Sequence, residues 1–475
     1  MSQKSLVKSF LGFLIGPVIG AGIGFFTTII TTWLLNPEEI GKSATTTVYI
    51  TLMSLFIYFG LDQAFIREYN EVEDKTELFW NSIYLPLILS IFISLLTIIF
   101  GQSISYLLFK EENIFAVIII AISIPFYILD RYSMLILRMD ENAKIYSLIQ
   151  VLNKILNIVI LIIYLVFIQK SYIAIIFSLC TSTILTALVG VYITKEYWIN
   201  MKKINIGLTK RLLRYGLPLI PAMIIASLFN SMDKIALVTW SNFEEVGLYT
   251  IGFKIIVVIS LIQGAFSTFW APVSQRWYSE GKDNTNIVEI SYLMCSCVSI
   301  MYILLILFKD IIINILLPES YQNTAILIPV LSYVPLMSLL ALTTCVGINF
   351  SRKTEFNIIP SIIALVTNYI LNKALIPSYG ALGAGISTAI SYTIYFIVIT
   401  LLSRKLWFRF SMKFILINVF MLIIVTLNVI FIDNIWITII LSFFIIIYNF
   451  NNYVKIYNIF YESILKSLIK KVRGQ

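Results

Sequence analysis

The chain alternates apolar segments of about 17 to 25 residues with short polar runs, and segments of that length are the sequence signature of bilayer-crossing helices. Fourteen spans are predicted, over approximately 10–35, 43–61, 79–100, 114–136, 145–168, 172–194, 216–241, 247–270, 287–308, 325–349, 357–376, 380–402, 412–432 and 435–452. The last is the weakest, because it runs into the polar Asn449-Phe450-Asn451-Asn452-Tyr453. The first, about 26 residues, exceeds the apolar region of a signal peptide, about 7–15 residues, and is expected to remain as a span. No loop exceeds roughly 20 residues, too few for a separate extramembrane domain of ordinary size.

Two of the polar runs match. Asn36-Pro37-Glu38-Glu39-Ile40-Gly41 follows span one, and Asn242-Phe243-Glu244-Glu245-Val246-Gly247 follows span seven, both N-x-E-E-(I/V)-G. Inside the spans, Asn153-Lys154-Ile155-Leu156-Asn157 of span five is echoed by Asn368-Tyr369-Ile370-Leu371-Asn372 of span eleven. A period of six spans is even, so both halves enter the membrane in the same sense, as parallel repeats related by an axis along the membrane normal. The expected architecture is an all-α polytopic membrane protein: two six-helix lobes in parallel repeat around a central cavity, plus two C-terminal helices. The boundaries are 1–200 for the N-lobe, 201–410 for the C-lobe, and 411–475 for spans thirteen and fourteen with a basic cytoplasmic tail.

Composition agrees with this pattern: 59% of the 475 residues are hydrophobic and 12% charged, with mean hydropathy +0.92, against about one-quarter charged in soluble chains. The net charge of +9 is mostly topological. With the N-terminus inside, the non-cytoplasmic loops hold only Lys42, Lys110, Lys170, Lys309 and Lys373, as the positive-inside rule requires. Both termini are thus placed in the cytoplasm, and the basic balance does not indicate nucleic acid. All four cysteines fall in apolar segments and histidine is absent, which disfavours disulfide frameworks, metal sites and hydrolase chemistry. No enzyme activity, metal or organic cofactor is expected.

Charged and polar positions inside the spans are the candidate chemistry. On a helix, residues i, i+3, i+4 and i+7 share a face, which gives Gln150, Asn153, Lys154 and Asn157 in span five, and Ser227, Asn230, Ser231 and Lys234 in span seven with Asp233 at its edge. Mid-membrane charges are costly and normally line an interior or a watery path. Asp233 and Lys234 diverge by about 100° on their helix, so each needs another partner; Lys254 of span eight lies at similar depth and is the expected partner of Asp233. Three lysines, Lys154, Lys234 and Lys254, are taken to outnumber acids three to one within the spans. Arg67 marks a charged mouth after span two. Hinge candidates are Gly16, Pro17 and Gly20 in span one, with close packing the default reading of the glycines, and Pro218 and Pro221 at the start of span seven.

The outer run NPEEIG, the GLDQAFIREY after span two, and YGLPLIPAMI…NSMDKIALVTWSNFEEVGLYTIGFK across spans seven and eight resemble the Wzx-type polysaccharide-repeat-unit flippases of the multidrug/oligosaccharidyl-lipid/polysaccharide exporter (MOP) superfamily. PESY at 318–321 and TNYILNKALIPSYGALGAGISTAIS at 367–391 add to the likeness, which covers nearly the whole chain. The resemblance implies fourteen helices around a central cavity and, as activity, movement of an undecaprenyl-diphosphate-linked oligosaccharide across a bacterial cell (inner) membrane for surface polysaccharide synthesis. It also implies contact with other polysaccharide assembly proteins. Coupling to H+ or Na+ would fall to Asp233 as acidic candidate. Related lipid-diphosphate flippases carry arginines in their first helix; span one here has none, so an anion site must come from other spans. Alternatives are a peptidoglycan-precursor flippase, a cation-coupled multidrug antiporter, and a membrane glycan polymerase or ligase, the last disfavoured by the small outer loops.

Overall fold

The computed structural model describes residues 3–281 and 284–460, and is helical almost throughout. The expected basic tail beyond 460 lies outside the described residues, as does the side-chain environment of residues 1–15. Two compact units emerge, Met1–Lys254 and Ile255–Gln475.

The first unit contains α1 (Gln3–Leu34), α2 (Pro37–Tyr58), α3 (Leu61–Glu68), α4 (Lys75–Ile99), α5 (Gly101–Phe109), α6 (Ile114–Met139), α7 (Ala143–Phe167), α8 (Tyr172–Ile193), α9 (Lys195–Ile199), α10 (Ile206–Gly216), α11 (Ile220–Trp240) and α12 (Phe243–Ile255). Polar residues between apolar segments act as helix starts. Asn36 accepts from the Glu39 amide at 3.1 Å with Pro37 at the first helical position, and Asn242 does the same for Glu245 at 3.0 Å. Asp74 and Asn113 cap α4 and α6 in the same way. A side-chain acceptor supplies one of the amide partners that the first turn lacks, and proline there sacrifices no bond.

Helices that share lipid-like surroundings gain little from hydrophobic association and rely on close approach at small residues. In the first unit a Cβ added to Gly16 would meet the Ser147 Cα at 2.7 Å, joining α1 to α7, and one on Gly190 would meet the Ser133 Cβ at 2.9 Å, joining α8 to α6. The repeated N-x-E-E-(I/V)-G runs press on one another. A Cβ at Gly41 would lie 2.7 Å from the Phe243 carbonyl carbon, and one at Gly247 would lie 2.6 Å from that of Pro37. Pro37 and Phe243 are repeat equivalents, as are Gly41 and Gly247, so the contact is reciprocal, as a local two-fold axis between them requires. Beside it, Lys42 bridges Glu38 at 3.2 Å and Glu111 at 3.1 Å. At the other end of α2, Gly60 (φ 70°) meets the Gly216 backbone where α10 passes into α11. That end is also tied by ion pairs from Arg211 of α10 to Glu68 and Glu71, and from Lys202 to Asp74 at 2.8 Å.

The second unit contains α13 (Val257–Ser279), α14 (Asn284–Leu316), α15 (Ile328–Leu331), α16 (Tyr333–Thr344), α17 (Val346–Phe350), α18 (Ile358–Leu406), α19 (Lys413–Leu427) and α20 (Ile435–Phe460). Among the described residues, thirteen helical segments are long and apolar enough to cross a membrane. The fourteenth expected span is hidden in α18. At 1.5 Å per residue a straight helix of that length would extend roughly 75 Å, more than twice a hydrocarbon core, and its backbone breaks at Gly380 (φ 52°, ψ −129°), the first residue of the second of the two spans read from sequence. The polar end of span fourteen is explained by packing. Asn449 is fully buried, donating to Asn418 Oδ1 at 2.6 Å and accepting from Ser296 at 2.6 Å, while Asn452 donates to Ser296 at 3.0 Å. These bonds stitch α20 to α14 and α19, so polar residues lengthen the helix instead of ending it.

Candidate functional site

All three lysines singled out in the sequence belong to the first unit: Lys154 on α7, Lys234 on α11 and Lys254 in the last turn of α12. Lys154 and Lys254 are exposed and Lys234 half-buried, yet protein crowds all three enough to desolvate them. Side chains that solvent reaches while protein surrounds them line a recess. Lys254 lies within electrostatic range of both Lys234 and Lys154, so three helices bring three ammonium groups to one region. The stem of Lys154 lies along α1, where a Cβ on Gly20 would touch its Cγ at 3.5 Å.

The polar face of span five divides into two functions. Asn153 donates to Thr186 Oγ1 at 3.1 Å and Asn157 to Ser178 Oγ at 3.4 Å, both on α8, so the asparagines bind α7 to α8. Lys154, turned about 100° from Asn153, remains accessible; Gln150 is half-buried one turn earlier. The repeat partners in α18 make the same kind of bond, Asn368 to Thr388 at 3.3 Å and Asn372 to Asn368 at 3.0 Å, but with no lysine between them and with both side chains buried. On α11, Asn230 is exposed whereas Ser231 and Asp233 are buried.

The expected Asp233–Lys254 pair does not form. Asp233 accepts from the Tyr249 hydroxyl of α12, and among the described residues no ion pair involves Lys154, Lys234 or Lys254. Equal depth does not fix azimuth: Tyr249 precedes Lys254 by five residues, about 140° round the helix. Arg67 is not gathered with the lysines either; it lies on α3, exposed and paired with Glu71, which raises its pKa and holds the Glu71 carboxyl below the usual range.

Of the hinge candidates, Gly16, Pro17 and Gly20 lie within one continuous helix, α1, with both glycines at the α7 contact. Pro218 sits in a 3₁₀ turn, Leu217–Leu219, and Pro221 in the first turn of α11, so the backbone changes helical form there. Span eight is also interrupted: α12 ends at Ile255 and α13 begins at Val257, with Ile256 at φ −80°, ψ 2°.

Sequence reasoning missed one charged group. Asp130 and Arg131 are adjacent within α6, inside the predicted span 114–136, as Asp233 and Lys234 are within α11. The three-to-one excess of lysines over acids in the spans was therefore incorrect. Arg131 pairs with Asp62 of α3 at 2.8 Å, the Asp62 side chain being 2% exposed, while Asp130 lies beside Thr186 of α8. The signal was available as an acid–base doublet inside the span predicted over 114–136.

An all-helical chain with thirteen helical segments long and apolar enough to cross a membrane among the described residues, and three lysines brought to one region by three helices, defines the class as a polytopic membrane protein. Residues 6–277 match the polysaccharide biosynthesis protein family, and the chain belongs to it. It is 21% identical over 394 residues to the capsular polysaccharide biosynthesis protein CapF of Staphylococcus aureus, covering 81% of this chain and 96% of the relative. In fold it is similar to the lipid II flippase MurJ in its inward closed conformation, with TM-score 0.73 and 16% identity over 95% of this chain and 99% of the other. It is also similar to a multidrug resistance MATE family transporter of the MOP superfamily in its outward-facing conformation, with TM-score 0.60 and 18% identity over 84% and 95% of the two chains.

Proposed function

We propose that the protein is a flippase that moves an undecaprenyl-diphosphate-linked oligosaccharide repeat unit from the cytoplasmic to the outer face of a bacterial cell membrane, with both termini in the cytoplasm. The observation that carries this reading is the convergence of Lys154, Lys234 and Lys254 with no ion-paired carboxylate. Like charges held together at low dielectric repel strongly, and such an arrangement is favourable when a polyvalent anion enters. A diphosphate supplies that charge and accepts charge-assisted hydrogen bonds from ammonium donors. Asn230 and Gln150 offer amide groups for a glycan beside it. The head group would enter from the cytoplasm, meet the lysines, and leave outward as the helices rearrange, while the lipid tail stays in the bilayer. Family membership and the transporter folds of the structural relatives support transport over an enzymatic role.

Alanine at Lys154 or Lys254 is expected to abolish surface polysaccharide while leaving the amount of protein in the membrane unchanged; normal glycan display by both variants would refute the assignment. A peptidoglycan-precursor flippase would use the same lipid diphosphate. Complementation separates the two: the chain should restore glycan display to a strain lacking its repeat-unit flippase and fail to rescue one lacking its peptidoglycan-precursor flippase.

A further inference from the structure

At the end of the second unit where α13 finishes, α14 begins and α20 finishes, the three helices line a cleft of about 610 Å³. Trp277 of α13 forms part of its wall. The indole stands edge-on to Trp270 at 6.0 Å, which in turn stacks on Phe266 at 6.0 Å, and these rings pack on Ile287, Val346 and Phe350, so the wall is held in place. Also in the lining, Lys455 of α20 meets Glu289 of α14 at 2.6 Å, with the two side chains 56% and 46% exposed. An ion pair that water reaches contributes little to stability, and this one uses a single ammonium donor and a single carboxylate oxygen, leaving capacity on both groups. Asn286 and Asn458 complete the polar lining and hold no side-chain hydrogen bond among the described residues. Ile290 and Leu293 of α14 supply the apolar part. From there Leu293, Cys297, Ile300 and Leu304 follow at the spacing of one helix face, with Ile300 and Leu304 exposed. That stripe advances about 16 Å, roughly half of a hydrocarbon core.

We propose that this cleft binds one glycerophospholipid with a primary-ammonium headgroup, of the phosphatidylethanolamine type, as a resident lipid separate from the one that is moved. The cleft offers one cation and one anion side by side, which matches a zwitterion and no singly charged headgroup. The lipid phosphate takes the unused donors of Lys455, and the lipid ammonium takes the free oxygen of Glu289, both as charge-assisted hydrogen bonds. The ammonium also lies against Trp277, whose ring face attracts cations. Asn286 and Asn458 donate to the glycerol ester oxygens, and an acyl chain follows the stripe over 293–304. An anionic headgroup would leave Glu289 repelling it, and a quaternary ammonium would bring the carboxylate no N–H donor. An indole at Trp277 suits headgroup depth, where aromatic rings with one polar edge are favoured. The cleft belongs to the second unit, whereas Lys154, Lys234 and Lys254 belong to the first. The proposal thus goes beyond the flippase reading and takes from it only the assignment to the cytoplasmic leaflet.

The test titrates purified, delipidated full-length protein with phosphatidylethanolamine, phosphatidylglycerol and phosphatidylcholine of identical acyl chains, and reads bound lipid by native mass spectrometry. The wild type is expected to retain one phosphatidylethanolamine per chain, about ten-fold more tightly than either of the others. Glu289→Gln, which keeps the shape and removes the charge, should weaken phosphatidylethanolamine about ten-fold and bring it level with phosphatidylcholine, as for loss of one charge-assisted contact. Lys455→Gln should weaken all three lipids, because each carries a phosphate. Asn458→Ala, which trims an exposed side chain, should weaken phosphatidylethanolamine about three-fold, and it serves if the charge variants fail to fold. Equal binding of the three lipids by the wild type would overturn the proposal. So would an unchanged preference in Glu289→Gln or, where that variant does not fold, an unchanged affinity in Asn458→Ala. Displacement of the bound phosphatidylethanolamine by equimolar undecaprenyl phosphate would overturn it too, because the cleft would then belong to the carrier lipid. Binding is read without transport, so glycan display by the lysine variants would refute the flippase reading and leave this site standing.

Discussion

Adjacent opposite charges occur at Asp130-Arg131 in α6 and at Asp233-Lys234 in α11, and the structure treats these two doublets differently. In α6 the base is neutralised across the bundle, by Asp62, and the acid is left beside a hydroxyl; in α11 the acid is held by Tyr249, and the base joins two other lysines. Successive helix positions point about 100° apart, so one residue of each doublet serves structure while the other faces the accessible region. Tyr249→Phe is therefore expected to destabilise the protein by about 1–3 kcal/mol, the cost of removing one hydrogen bond to a buried charged acceptor. Thermal unfolding in detergent would register the loss, whereas Thr239→Ala, which removes an exposed hydroxyl bonded only to its own helix, should change it little.

Helix crossings sort the glycines. At Gly41 and Gly247 an added methyl would collide with the opposing backbone, a group that cannot rotate away, whereas at Gly22 and Gly24 it would meet nothing within 4 Å. Gly41→Ala should lower the unfolding temperature and change the labelling of a cysteine placed at Asn242, because α2 and α12 must separate. Gly22→Ala should be neutral or raise stability by about 0.5–1 kcal/mol, the usual effect of removing glycine's backbone freedom from a helix. The α3–α10 clamp adds a pH dependence outside the spans. Arg67 holds the Glu71 carboxyl below its ordinary value of 4.5. A carboxyl depressed in the folded state contributes stability above its unfolded value and loses it as pH falls through the folded one. Glu71→Gln should accordingly be less stable than wild type near neutrality, and the difference in melting temperature should begin to shrink as pH falls below about 4.3 and vanish only below the depressed folded value.

At the scale of the molecule, the sequence alone determined the class, the number of spans and the internal repeat. Each follows from local information: a lipid-crossing helix must satisfy its backbone internally and present some 20 apolar residues, and duplicated turns keep their capping residues. The family, too, was legible in the motifs at 36–41, 61–69 and 242–247. It also supplied Lys154, Lys234 and Lys254, because a charge in an apolar run stands out without any fold. Only the tertiary structure decided which charges meet. The pairings of Asp233 with Tyr249, Arg131 with Asp62 and Asn153 with Thr186 join residues 16, 69 and 33 positions apart, and depend on azimuth and helix neighbours that hydropathy does not encode. The polar end of span fourteen and the break in α18 follow the same rule: Asn449 is satisfied by α14 and α19, and Gly380 turns one long apolar segment into two. Periodicity fixes the direction a side chain takes from its own helix; what waits there is set by the packing of the others.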